Sequence, residues 1–90
     1  MIRNHIIVHG RVQGVGFRYY TQRIAAQYRM VGWVRNKADG TVEIDAQGDK
    51  EQMDSFLRAV KKGSPHSKVT QIDIDQGLEL KKYRSFQIQY

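Results

Sequence analysis

Ninety residues, 40% of them apolar, are enough for one core and too few for two, so residues 1–90 are expected to form one domain. Fifteen Lys and Arg against nine Asp and Glu leave a formal charge of +6, which points to an anionic partner: a phosphorylated metabolite, nucleic acid or an acidic surface. The absence of cysteine excludes disulfide scaffolds, thiolate metal sites and a phosphocysteine intermediate.

The chain opens with "MIRNHIIVHG", whose apolar group is too short for a signal-peptide core or a membrane span, so a cytoplasmic protein that does not bind membranes is expected. Within "HIIVHGRV" the residues alternate, Ile6 and Val8 on one face and His5, Ile7 and His9 on the other, as in a strand covered on one side. The period then changes. Phe17, Tyr20, Ile24 and Tyr28 are spaced three, four and four apart, an amphipathic helix of about three turns. Between strand and helix lies "GRVQGVGFR", residues 10–18, with three glycines and two arginines in nine positions.

"MVGWVRN" and "TVEIDAQG" read as two strands turned around Asp39-Gly40, a strong hairpin signal. Val42, Ile44 and Ala46 alternate with Glu43 and Asp45, so one sheet face is expected to be open to water. A second helix follows, with Asp49 as N-cap, Gln52 three residues on, an apolar stripe of Met53, Phe56, Leu57 and Val60, and Gly63 closing it before Pro65. "KVTQIDIDQ" and "SFQIQY" are further strands, with Ile72, Ile74, Phe86 and Ile88 as expected core positions, separated by a polar, basic loop from Gly77 to Arg84. The order is βαββαβ with a possible terminal strand. It predicts an α+β fold, a two-layer ferredoxin-like sandwich whose antiparallel sheet carries two helices on one face.

The glycine-rich junction is the candidate site. The first helix starts after Gly14, Val15 and Gly16 without a Ser, Thr, Asp or Asn to cap it, so its first N–H groups lack an obvious partner. Glycines that turn the backbone sharply and a helix N-terminus together suit an oxyanion of phosphate size. Arg18, in the first turn, can fork two oxygens of that anion. A plain tight turn with a solvated Arg18 would use the same residues. Neither nucleotide loop fits, because Tyr19 stands where the dinucleotide fingerprint has its third Gly and no Gly-Lys-Ser/Thr is present.

The remaining polar residues are weaker candidates. His5 and His9 lie about 13 Å apart along an extended strand, too far for one metal ion. His66, beside Pro65, reads as solvated, Glu43 and Asp45 as a solvated strand face, and Trp33 and the tyrosines as packing.

"GRVQGVGFR" together with "GWVRNKADGTVE", residues 32–43, closely resembles the two signature stretches of acylphosphatases, and the element order is similar along essentially all 90 residues. The resemblance implies hydrolysis of the carboxyl-phosphate anhydride of a small acyl phosphate to a carboxylate and inorganic phosphate, without metal or cofactor. It places the family's phosphate-binding arginine on Arg18 and its water-orienting asparagine on Asn36. The family's phosphate cradle falls on the turn of Val12, Gln13, Gly14, Val15, Gly16 and Phe17. Taken alone, Asn36 would read as a hairpin residue bonded to its own backbone.

Few groups suffice for this chemistry. The leaving carboxylate has a conjugate acid of pKa about 4 and departs at neutral pH without a general acid. A loose phosphoryl transition state asks mainly for positioning and charge stabilisation. Asn36 offers an acceptor and donors to hold a water in line, and a phosphate oxygen of the substrate can take its proton.

Two other readings share part of this pattern. An RNA-recognition module shares the element order and the charge, but its third strand stacks bases on aromatics, whereas "TVEIDAQ" has none and carries two acids that repel phosphate. A module that binds acyl phosphates without turnover would keep the cradle and not need Asn36. Acylphosphatase-like domains also occur inside larger enzymes; a small stand-alone chain favours the simple hydrolase, acting as a monomer that does not bind nucleic acid.

Overall fold

The alternation in the first segment becomes a ten-residue strand, β1 (Ile2–Arg11), and the change of period becomes α1 (Phe17–Gln27). In the computed structural model, which describes all 90 residues, there follow β2 (Val31–Asn36), β3 (Val42–Gly48), α2 (Lys50–Lys62), β4 (Lys68–Asp75) and β5 (Phe86–Gln89). The five strands form one sheet in the order β4-β1-β3-β2-β5.

Register explains which face is buried. Ile74, Ile6, Ile44, Val34 and Ile88 pair strand to strand and make one apolar row across the whole sheet. The next row toward the α1 N-terminus runs Ile72, Val8, Val42, Asn36. Paired residues share a face, so both rows meet the helices, whose Phe17, Ile24, Met53, Phe56 and Val60 complete the core. On the two outermost strands, Ile72, Ile74, Phe86 and Ile88 pack against this core but are half-buried. Asn36 ends its row on the helix side of the sheet.

Three expectations need correction. β5 pairs with β2 in parallel, while the β1–β3, β1–β4 and β2–β3 pairs are antiparallel, so the sheet is mixed. This follows from the route of residues 76–85, which cross from the β4 edge to the far edge before re-entering the sheet. Asp49 occupies the N-cap of α2 but makes no side-chain cap bond; its carbonyl accepts from Met53 N–H at 2.8 Å. Glu51 in the first turn and Lys61 and Lys62 in the last complement the helix dipole instead.

The polar face of β3 is also not open to water. Glu43 and Asp45 are 9% and 3% exposed, because β3 is the central strand and the crossing segment lies over it. Arg3 Nη1 donates to Asp45 Oδ2 at 2.8 Å and Arg3 Nε to the Glu79 carbonyl at 2.6 Å. Tyr83 donates its hydroxyl proton to Asp45 Oδ1 at 3.0 Å and accepts from Trp33 Nε1 at 3.2 Å. Gln47 exchanges two 2.8 Å bonds with the backbone of Lys81. The crossing segment thus covers the Asp45–Gln47 end of this sheet face.

Glu43 is held by Arg35 Nε and by His5 Nε2, the latter at 2.6 Å. Burial alone would raise its pKa, but the bonds from His5 and Arg35 outweigh it and leave the carboxyl below the usual glutamate range. A depressed carboxylate contributes stability above its unfolded pKa that is lost as pH falls through the folded value. Asp45→Ala leaves the Arg3 guanidinium, 11% exposed, without its counter-charge. We expect this substitution to lower stability by about 3 kcal/mol, measured by urea unfolding. A loss near zero would mean that the crossing segment does not depend on Asp45.

Candidate active site

The sheet end that carries Asn36 also carries the start of α1. Val12 is buried in the core below the turn, and the backbone then takes left-handed conformations at Gly14 (φ 72°) and Gly16 (φ 77°). A side chain at either position would meet nothing within 4 Å, so it is the positive φ that calls for glycine there. Gly16 is the N-cap of α1 and offers no side-chain cap. Tyr20 N–H is bonded to Gly16 O at 3.0 Å, and the N–H groups before it in the first turn have no intrahelical acceptor.

A small cavity of about 120 Å³ opens at this turn, lined by Gly14, Gly16, Arg18 and Asn36 with Val12, Phe17 and Tyr19. At roughly 30 Å³ per water, it has room for a phosphoryl group beside a water molecule. Asn36 Oδ1 is buried and has no hydrogen-bond partner. The hairpin reading of Asn36, as a residue bonded to its own backbone, therefore fails for that oxygen. Asp39 makes the hairpin bond instead, accepting from Thr41 N–H at 3.0 Å and Thr41 Oγ1 at 2.6 Å, bonds that lower its pKa.

Of the expected site residues, Val12, Gly14, Gly16, Phe17, Arg18 and Asn36 meet at one cavity, and two lie elsewhere. Val15 lines the neighbouring cavity. Gln13 turns its side-chain amide to the β2–β3 hairpin, donating to the Lys37 carbonyl at 2.7 Å and the Thr41 carbonyl at 2.8 Å. It thereby ties the glycine turn to the hairpin that begins at Asn36.

Residues beyond the expected set also reach the site. Arg18 Nη1 donates to the Gln89 carbonyl at 3.1 Å, and its guanidinium lies 4.7 Å from the centre of the Tyr90 ring. The parallel register of β2 and β5, with Arg35 opposite Gln89, brings the end of β5 beside Asn36. Nothing local in the sequence signals this pairing. His5 and His9 each face a carboxylate, Glu43 and Asp73, and no three His, Asp or Glu side chains converge to hold a metal ion.

The sequence profile of the family described as Acylphosphatase matches residues 4–88. The chain belongs to the acylphosphatase family. It is 51% identical over 90 residues to an acylphosphatase of Bacillus licheniformis, with both chains covered in full. A crystal structure of acylphosphatase from Bacillus subtilis superposes with a TM-score of 0.97 at 49% identity, again over the whole of both chains. A larger protein, HypF from T. kodakarensis, contains a similar unit: TM-score 0.86 and 31% identity over all of this chain but 12% of that one. Membership in the acylphosphatase family carries its activity, hydrolysis of small-molecule acyl phosphates, and the ferredoxin-like fold. No helix is long and apolar enough to cross a membrane.

Proposed function

We propose that the phosphoryl group of an acyl phosphate is held between the backbone amides of the Val12–Phe17 turn and the Arg18 guanidinium, and that Asn36 aligns the attacking water. The observation that carries this reading is the unpartnered Asn36 Oδ1 beside a cavity whose wall also includes Arg18 and two glycines with positive φ. An amide oxygen accepts a water proton and so fixes the direction of the oxygen lone pair toward phosphorus. The water oxygen bonds to phosphorus, the bond to the acyl oxygen breaks, and the carboxylate leaves with that electron pair. A phosphate oxygen of the substrate takes the water's proton, giving inorganic phosphate.

Amides at a helix N-terminus and a guanidinium stabilise negative charge on the equatorial oxygens throughout, without a metal ion. All these groups come from one chain, in keeping with a one-domain monomer; we place it in the cytoplasm. The test is hydrolysis of benzoyl phosphate in excess chelator. Turnover is expected to persist, with kcat flat through the neutral range because no protein group exchanges a proton in the step. A chelator-sensitive rate, or one following a histidine-like pKa, would overturn the scheme.

Gln13 acts at one remove, through the hairpin. Gln13→Met removes both bonds to the Lys37 and Thr41 carbonyls. It is expected to lower kcat roughly tenfold or more, since small misplacements of a reacting group are costly, while the affinity for inorganic phosphate changes little. An equal loss of phosphate affinity would assign the side chain to the cradle itself.

A further inference from the structure

The cavity at the glycine turn has a neighbour. Gly16 and Tyr19, which wall the first, also wall a second of about 270 Å³ that reaches Val15, Arg23, Pro65 and His66. Val15, Pro65 and the Tyr19 ring give it apolar sides suited to the carbon body of an acyl group. Arg23 lies one helical turn beyond Tyr19 on the same face of α1.

Arg3 and Arg35 are neutralised by Asp45 and Glu43. Arg23, like Arg18 and Arg58, has no carboxylate within salt-bridge distance, and it rests 5.7 Å from the centre of the Tyr20 ring on the wall of this cavity. No acidic residue lines this cavity, and the groove beyond it, between α1 and α2, adds Arg58 and Lys62 and again no acid. Ser64, a further lining residue, has a buried hydroxyl with no hydrogen-bond partner. A flank that is positive and without internal counter-charge favours an anion supplied by a ligand.

We propose that this second cavity receives the acyl group and that Arg23 recognises a second negative charge on it, so that the preferred substrates are acyl phosphates bearing a distal carboxylate or phosphate. The inference rests on the phosphoryl group lying at Arg18, as argued above. With the phosphorus there, the acyl carbon chain extends past Gly16 and Tyr19, and an anionic substituent on it comes to the guanidinium. Arg23 is exposed, so the pairing is solvent-screened and its effect modest.

The experiment compares 4-carboxybenzoyl phosphate with benzoyl phosphate, which differ by one distal charge, at low ionic strength. Wild type is expected to favour the carboxylated compound about fivefold in kcat/KM, through KM. Arg23→Gln should erase the preference while hydrolysing benzoyl phosphate at the wild-type rate, and Arg23→Lys should retain part of it. Lys61→Gln, which removes the same unit charge elsewhere, should keep the preference in full. No preference in wild type, or an equal loss in Arg23→Gln and Lys61→Gln, would overturn the proposal. Failure of wild type to hydrolyse benzoyl phosphate at all would instead strike the reading of Arg18 and Asn36, and the subsite with it.

Discussion

Asn36→Ala is expected to lower kcat by about 10²–10³-fold while inorganic phosphate still binds with near wild-type affinity. The magnitude follows from the role proposed for the side chain, orientation of the nucleophile, which is worth orders of magnitude in rate. Phosphate binding should survive because its proposed donors, the turn amides and Arg18, belong to other elements. Asn36 ends the row Ile72, Val8, Val42, Asn36 on the helix side of the sheet, so shortening it removes no apolar packing from the two central strands. Measuring kcat on benzoyl phosphate alongside phosphate inhibition separates the two functions. Loss of phosphate inhibition in the variant would show that Asn36 binds the anion and does not direct the water.

Arg18→Lys is the second large effect. An ammonium keeps the charge but not the planar pair of donors, so it cannot bridge two phosphate oxygens while remaining anchored. In the protein one arm of the fork is already committed: Nη1 donates to the Gln89 carbonyl and the guanidinium lies over Tyr90. Arg18 also lines the cavity, and its other N–H groups make no hydrogen bond within the protein. A lysine would have to give up the anchor to reach the phosphate. Removing one preorganised donor from developing charge costs about 10²-fold or more in rate, and here KM should rise as well, because in the proposed arrangement the same contact holds the ground-state phosphate. Near-normal turnover in Arg18→Lys would take Arg18 out of the phosphate site.

The parts of this molecule written in local pattern were legible from the sequence. Alternation gave the strands with Ile6, Val8 and Ile44 inward; the three- and four-residue spacing gave α1; and Gly14 and Gly16 marked a backbone that only glycine tolerates easily. What was hidden depends on residues far apart in the chain. Glu43 and Asp45 alternate with buried aliphatics like any solvated strand face, and nothing near them announces that Tyr83 and the Lys81 backbone cover that face. The Gln13 bonds reach carbonyls 24 and 28 positions away, and backbone acceptors leave no compositional trace. Asn36 was singled out only through resemblance to a family motif; its place beside the glycine turn comes from register, which the sequence does not print.

The crossing of residues 76–85 over the sheet has a consequence for the order in which the protein matures. Long-range strand pairing must be in place before β5 has an edge to join, and topologies dominated by such pairing fold slowly. The cradle at Gly14–Gly16 and the hairpin at Asp39–Gly40 are made from neighbouring residues, whereas Arg18 gains its anchor only when Gln89 and Tyr90 arrive beside β2. The Arg18 anchor and the edge-on packing of Phe86 against Phe56 thus depend on the same event, the joining of β5 to β2.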